Sequence, residues 1–112
     1  MSYVYRSSEQ VTFHEATTAA KRGNLYYVKD MATLTVEIYG TSTSRTVEFK
    51  AISASGTERA ISGIKLDGLT VANQTTGNNE IWTFDISGLY KVIMDVTAVA
   101  GGNISIKGKV VA

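Results

Sequence analysis

The sequence IWTFDISGLYKVIMDVTAVAGGNISIKGKVV, residues 81–111, contains three runs in which apolar and polar side chains alternate. The apolar positions are Trp82, Phe84 and Ile86, then Tyr90, Val92, Met94, Val96, Ala98 and Ala100, and finally Ile104, Ile106 and Val110. Side chains of a strand point alternately to opposite faces, so each run is typical of a strand with one buried face. Ser87-Gly88 and Gly101-Gly102 offer short turns between the runs. The pattern therefore predicts a β-meander of three antiparallel strands.

The same alternation recurs in the earlier part of the chain. The apolar positions there are Leu34, Val36 and Ile38 in one run and Val47, Phe49 and Ala51 in the next. Polar, turn-prone segments separate the runs: GTSTS (40–44), SASGTE (53–58) and NQTTGNN (73–79). Gly63 interrupts a weaker strand at 61–66, which predicts a bulge or a close backbone approach. The sequence therefore predicts an all-β fold, an antiparallel β-sandwich of about seven to nine short strands, jelly-roll-like or immunoglobulin-like.

The predicted domain organisation is simple. Residues 1–10 are interpreted as an N-terminal arm, and residues 11–112 as a single β-sandwich domain. A chain of 112 residues is long enough to bury a core without metal or disulfide support. Residues 10–14 are expected to form a short strand with Val11 and Phe13 inward. Residues 15–22 are too few for an independent helix, so a loop with at most one helical turn is expected.

Composition excludes several classes of function. The chain has no cysteine and one histidine, which leaves no thiolate site, no disulfide and no histidine cluster, so neither a metal nor a cofactor is expected. A formal net charge of +1 without a basic patch argues against nucleic acid as a partner. Neither a membrane-length apolar stretch nor a signal-peptide core is visible, so we expect synthesis in the cytoplasm and no association with a membrane.

Catalytic chemistry is sparse in this sequence. His14 stands beside Glu15, but a lone histidine on a strand is far more often a packing or surface residue than a base. The nearest carboxylate pair by strand position is Asp85 and Asp95, which we expect to be compensated by lysines across the sheet, Lys91 or Lys107. The sequence therefore predicts that the protein is not an enzyme and has no catalytic residues. A small hydrolase is a third alternative, which would need two carboxylates in one pocket.

Several apolar side chains are predicted to lie on the surface. Tyr3 and Tyr5 belong to the arm, and Tyr39 points away from the predicted core. Ile93, Val99 and Val111 occupy the nominally polar phase of the last strands, where neighbouring strands would gather them into a patch. The predicted interface thus comprises Tyr3, Tyr5, Tyr39, Ile93, Val99 and Val111. Because monomers seldom expose such a patch, we expect a symmetric homo-oligomer, with a trimer favoured.

A family resemblance is carried by TLTVEIYGTSTSRTVEFKAISASGT (33–57), AISGIKL (60–66), TTGNNEIWTFDISGLYKV (75–92) and VTAVAGGNISIKGKVVA (96–112). Residues 84–89 and 101–103 contribute most to it. This part of the chain resembles a small β-sandwich domain of structural proteins of tailed bacteriophages. The resemblance implies a component of the virion, such as a head decoration, neck or tail-associated protein, that self-associates and docks on other virion proteins.

Outward-facing aromatic side chains leave one alternative function open. Tyrosines on the surface of a β-sandwich can stack on sugar rings as readily as they can fill a subunit interface. Trp82 would be the first candidate for stacking, but its alternation with Phe84 assigns it to the core. The alternative is therefore a carbohydrate-binding module that contacts surface carbohydrate through tyrosines, in host recognition.

Overall fold

The computed structural model describes residues 7–112, and this part of the chain contains eleven strands and no helix. The strands are β1 (Ser8–Thr17), β2 (Tyr26–Tyr27), β3 (Thr33–Tyr39), β4 (Ser44–Ile52), β5 (Glu58–Ala60), β6 (Gly63–Lys65), β7 (Thr70–Ala72), β8 (Gln74–Thr75), β9 (Glu80–Asp85), β10 (Lys91–Ala100) and β11 (Ile104–Val111). The count exceeds the predicted seven to nine because five strands, β2 and β5 to β8, are only two or three residues long.

The strands form two sheets that pack face to face. One sheet has six strands in the order β1-β11-β3-β9-β6-β7, and the other has the order β2-β10-β4-β5, with β8 also paired to β4. Every strand pair in both sheets is antiparallel. The predicted all-β, antiparallel β-sandwich is thus confirmed.

The predicted β-meander is wrong, although its three strands exist. β9 and β11 lie on either side of β3 in the six-stranded sheet, whereas β10 pairs with β2 and β4 in the other sheet. The chain therefore crosses from one sheet to the other at each of the two turns. The physical reason is that alternation identifies the buried face of a strand and carries no information about its neighbour. A short glycine turn serves a crossing as well as it serves a hairpin.

The turn between β10 and β11 is held against the turn between β3 and β4. The Ser42 amide donates to the Asn103 carbonyl (2.9 Å), and the Thr43 amide donates to the Ala100 carbonyl (2.9 Å). Gly101 and Gly102 have φ values of +74° and +146°, and a Cβ at either would overlap with a neighbouring threonine. Glycine is therefore required here both for the backbone conformation and for the close packing of the two turns.

The core lies between the sheets and is centred on three aromatic rings. The ring centroid of Phe49 lies 5.0 Å from that of Trp82 and 4.9 Å from that of Phe84. All seven residues most firmly predicted to be buried are at most 2% exposed: Val36, Phe49, Trp82, Phe84, Val92, Met94 and Ile106. At Gly63, an added Cβ would overlap with the ring of Phe84, so the predicted close backbone approach is confirmed.

The N-terminal boundary differs from the prediction. β1 begins at Ser8 and pairs with β11 from Ser8 opposite Val111 to Thr17 opposite Ile104, with irregular register on either side of His14. Residues 8–10, which were assigned to the arm, therefore belong to the sheet, and residues 15–17 are strand instead of loop. The side chains of residues 8–10 are exposed, so no apolar periodicity marked them. Residues 1–6 of the predicted arm lie outside the described residues.

Candidate functional site

The predicted interface residues do not form one patch in the structure. Tyr39 and Val111 lie at opposite ends of the paired strands β3 and β11, because Tyr39 is opposite Ser105 and Val111 is opposite Thr33. Ile93 and Val99 lie on β10, in the other sheet. Tyr3 and Tyr5 fall outside the described residues. The predicted gathering of these side chains depended on β10 and β11 being neighbours, which they are not.

Ile93 and Val99 are also less available than predicted. Ile93 is 0% exposed, so its assignment to a surface patch is wrong. Val99 is half-buried and packs against the core, because the register between β10 and β4 shifts between Val96 and Ala98. This irregularity changes which face the later residues of β10 occupy. Strict alternation along the strand could not anticipate it.

Five charged side chains form an ion-pair network on the outer face of the five-stranded sheet. Lys50 Nζ lies 2.8 Å from Asp95, 3.6 Å from Glu58 and 3.8 Å from Glu48. Arg22 binds Glu58 at 2.6 Å and reaches Asp95 at 4.0 Å. The hydrogen bond to Asp95 raises the pKa of Lys50, and the hydrogen bond from Arg22 lowers the pKa of Glu58. The expected compensation of Asp95 by Lys91 or Lys107 is therefore wrong.

This network bears on the hydrolase alternative. Glu48 and Asp95 are opposite each other on β4 and β10, so two carboxylates do approach one another here. Lys50 lies between them and binds both, at 3.8 Å from Glu48 and 2.8 Å from Asp95. Such a neutralised surface cluster stabilises a sheet and offers no enclosed acid and base.

His14 is a packing residue that connects the two sheets. It is 2% exposed, its Nε2 donates to the Met94 carbonyl (2.6 Å), and its Nδ1 accepts from the Thr17 hydroxyl (3.0 Å). Burial lowers its pKa from the usual 6.5 and so favours the neutral imidazole, which this pair of bonds accommodates. Gly23, with a φ of +78°, packs so closely that a Cβ would overlap with the imidazole. With both ring nitrogens engaged, His14 is not poised as a base.

The most exposed apolar side chains lie at one edge of the six-stranded sheet. We define the hairpin patch by its members and their exposed fractions: Ile64 (40%), Leu66 (49%), Leu69 (70%), Val71 (66%) and Ile81 (44%). Ile64 is opposite Val71 in the β6–β7 hairpin, and the Leu66 amide donates to the Ile81 carbonyl (3.0 Å), which connects the hairpin to β9. None of these five residues was part of the predicted interface. The signal available was apolar alternation on both sides of the turn Asp67-Gly68, in strands too short to be read confidently.

A shallow groove of about 540 Å³ continues the hairpin patch across the outer face of the same sheet. Its lining consists of Gln10, Val11, Thr12, Thr35, Val36, Glu37, Ile81, Lys107, Gly108, Lys109 and Val111. Ile81 belongs to both the groove and the hairpin patch. Val111, a predicted interface residue, lies in the groove. The outer face of the six-stranded sheet is therefore one extended surface on which apolar and charged side chains alternate.

Two further aromatic side chains are exposed on the opposite sheet. Tyr26 is buried, whereas Tyr27 and Tyr90 are about half exposed and lie with their ring centroids 5.7 Å apart.

No group of three or more histidine, cysteine, aspartate or glutamate residues in the part of the chain that the structure describes could hold a metal ion. Within the same residues, no helix is long and apolar enough to cross a membrane.

Comparison with known proteins identifies the family. The family model named XepA matches residues 7–110, which is nearly the whole described chain. The chain belongs to the XepA family. A solved relative, the SPBc2 prophage-derived protein YomS, superposes with a TM-score of 0.94 at 37% identity, over 100% of this chain and 99% of that one. The PBSX exported protein XepA superposes with a TM-score of 0.97 at 37% identity, over 100% of this chain and 40% of that one.

Sequence relatives in Bacillus subtilis (strain 168) agree with this assignment to the XepA family. The SPbeta prophage-derived protein YomS is 41% identical over 101 residues, which cover 90% of this chain and 85% of YomS. The phage-like element PBSX protein XepA is 38% identical over 107 residues, which cover 96% of this chain and 38% of XepA. The protein YqxG is 38% identical over 102 residues, which cover 91% of this chain. The chain spans about a third of the length of YqxG (34%) and XepA (38%), so it is similar to one part of those longer proteins.

The predicted relationship to phage proteins and the predicted all-β fold are thus confirmed. The XepA-family relatives named above include phage-derived proteins, and the two with solved structures share the all-β fold. A particular class of phage structural protein does not follow from these relatives.

Proposed function

We propose that this protein is a structural component of a phage-like particle that acts by self-association and by docking on other particle proteins. Two relatives support the phage setting, the prophage-derived YomS and XepA of the phage-like element PBSX. The observation that carries the proposed mode of action is the hairpin patch. Its five large apolar side chains, Ile64, Leu66, Leu69, Val71 and Ile81, are each 40–70% exposed and lie together at one edge of the fold.

Burying such a patch against another protein lowers the free energy and so favours association. Removing apolar surface from water stabilises a protein by about 25 cal/mol per Å², so even partial burial of five large side chains is worth several kcal/mol. β7 is also the last strand of its sheet, and its outer edge presents backbone groups that can pair with another chain. An exposed apolar patch beside an unpaired strand edge is typical of a protein–protein interface.

Only some of the predicted interface residues are retained in this proposal. Val111 lies in the groove beside the hairpin patch and remains a candidate, as does Tyr39 on the same outer face. Ile93 is withdrawn because it is buried, and half-buried Val99 faces the core. Tyr3 and Tyr5 remain predicted contacts of an arm with a neighbouring subunit. A closed ring, with a trimer favoured, remains the expected assembly, because identical chains associate with closed symmetry in most cases.

Sedimentation equilibrium of a charged variant tests the hairpin patch. Val71→Glu places a charge at the centre of the patch on a side chain that is 66% exposed, so the fold is expected to tolerate it. Leu25→Glu is the matched control, because Leu25 is exposed (42%) outside the patch. The expected result is an oligomer for the unmodified chain and the control, and a monomer of 12.1 kDa for Val71→Glu. If Val71→Glu keeps the full oligomer mass while Leu25→Glu loses it, the hairpin patch is not the interface.

The proposed location is the particle itself. The relative XepA is named an exported protein, so release from the cell into the medium is the competing location. Immunodetection in density-gradient fractions distinguishes the two after phage induction. A signal that co-sediments with particles supports the proposal, and a signal found only among free proteins of the medium contradicts it.

A further inference from the structure

The exposed tyrosine pair is held in a fixed arrangement on the outer face of the five-stranded sheet. Tyr27 on β2 lies opposite Lys91 on β10, so both side chains project from the same face. The Val28 amide donates to the Tyr90 carbonyl (3.0 Å), and the Tyr90 amide donates to the Ile52 carbonyl (2.9 Å). The two tyrosine rings are nearly perpendicular, at 79°, with centroids 5.7 Å apart. Backbone pairing on both sides therefore positions the chain at both tyrosines, and the two rings contact each other.

Lys91 completes this arrangement, and we call Tyr27, Tyr90 and Lys91 the tyrosine–lysine cluster. The Lys91 ammonium lies 4.8 Å from the centroid of Tyr27 and 5.0 Å from that of Tyr90. Among residues 7–112 it forms no ion pair with a carboxylate, whereas Arg22, Lys50, Lys65 and Lys107 all do. A cation held by two rings without a counter-ion remains free to bind an anion from outside.

The cluster combines two kinds of recognition at one place. Tyr27 is 49% exposed and Tyr90 is 50% exposed, so each ring presents apolar surface and a hydroxyl to solvent. Such a ring packs against the C–H face of a sugar while its hydroxyl exchanges hydrogen bonds with the sugar hydroxyls. The neighbouring ammonium donates a charge-assisted hydrogen bond to a carboxylate or phosphate. The ligand that uses all three groups is a sugar ring carrying an anionic substituent.

We propose that the tyrosine–lysine cluster is a binding site for anionic saccharides. In this site one or both tyrosine rings stack on the sugar ring, and Lys91 binds its carboxylate or phosphate. The site lies on the sheet opposite to the one that carries the hairpin patch. It is therefore independent of the self-association surface, and an assembled particle would present one copy per subunit.

Titrations followed by amide chemical shifts test this proposal with four probes: sodium glucuronate, glucose 6-phosphate, glucose and sodium acetate. Saturable shifts at residues 27–28 and 90–91 are expected for the two anionic sugars, with glucose about tenfold weaker because one charged hydrogen bond is missing. The stronger of the two anionic sugars identifies carboxylate or phosphate as the preferred group. Acetate binding as tightly as glucuronate would show a simple anion site and overturn the proposal.

Variants separate the roles of the three side chains. Lys91→Met is expected to reduce the affinity for glucuronate to that for glucose, and Tyr27→Ala is expected to weaken both. Lys109→Met on the other sheet is the control and should leave both affinities unchanged. Val71→Glu should also leave them unchanged, so failure of the self-association proposal does not affect this result. The proposal is overturned if no probe gives saturable shifts, or if Tyr27→Ala alters the oligomer mass and leaves sugar binding unchanged.

Discussion

Packing around Phe84 shows how single residues specify this core. Phe84 is 2% exposed and meets Phe49 edge-on, with centroids 4.9 Å apart. Phe84→Ala should lower the free energy of unfolding by about 3–5 kcal/mol, because it removes buried apolar surface and leaves a cavity. Urea denaturation followed by the fluorescence of Trp82, the single tryptophan, measures this. A loss below about 1 kcal/mol would mean that the ring contributes little to the core.

Gly63 provides a second prediction at the same place. A Cβ there would overlap with the Phe84 ring, so Gly63→Ala should destabilise the protein by about 1–3 kcal/mol through overpacking. In a Phe84→Leu background the ring is absent and the penalty of Gly63→Ala should shrink. A double-mutant cycle by urea denaturation measures this coupling. Equal penalties in the two backgrounds would contradict the proposed contact.

His14 predicts a pH dependence of stability. Burial lowers its pKa in the folded state, a bond to the Met94 carbonyl opposes this, and the facing charges of Lys21 and Asp95 lower and raise it respectively. As pH falls below the unfolded value of 6.5, the unfolded state gains a proton before the folded state does, so stability is lost over this range. Unfolding between about pH 7 and about pH 5 should show this loss in the unmodified chain and less of it in His14→Gln. An identical slope in both proteins would contradict the role of His14.

At the scale of the strand, the ion-pair network predicts unequal effects of similar lysines. Lys50 contacts three carboxylates and its side chain is only 22% exposed, so Lys50→Ala leaves Asp95 with only the more distant Arg22, at 4.0 Å, and should cost about 1–3 kcal/mol. Lys107 is the matched control, since it binds one exposed partner, Glu15, at 2.7 Å. Thermal or urea unfolding should show little change for Lys107→Ala. Comparable losses in the two variants would refute a special role for the network.

The strands also show what the sequence could and could not predict. Alternation correctly identified the inward residues of β3, β4 and β9, because each has one face in the core and one in solvent. It did not reveal that β10 belongs to the other sheet, since both sheets bury the same kind of face. β1 extends to Ser8 through backbone pairing with β11, which leaves no trace in side-chain polarity.

The candidate sites were harder to predict than the fold for a related reason. The hairpin patch consists of apolar residues that are exposed, and alternation assigns apolar residues to the core by default. Ile93 shows the opposite error, because it is buried on the strand face that was expected to be open. The tyrosine–lysine cluster depends on the pairing of β2 with β10, a contact between residues more than sixty positions apart. Only the tertiary structure brings these groups together.

For the whole molecule, the two sheets present different outer surfaces. The six-stranded sheet carries the hairpin patch and the groove, which suit contact with protein, while the five-stranded sheet carries the ion-pair network and the tyrosine–lysine cluster. A sandwich with this division can associate through one face and keep the other available. The proposed role in a particle depends on this division of surfaces.

The mass of the unmodified, full-length chain in solution tests the central claim of self-association most directly. Light scattering coupled to size-exclusion chromatography, at micromolar concentrations over a tenfold dilution series, gives this mass without reference to shape. The proposal predicts a closed oligomer, with a mass that is a fixed multiple of 12.1 kDa and stays constant on dilution. A single species of 12.1 kDa at every concentration would contradict self-association and leave the saccharide site as the better-supported function.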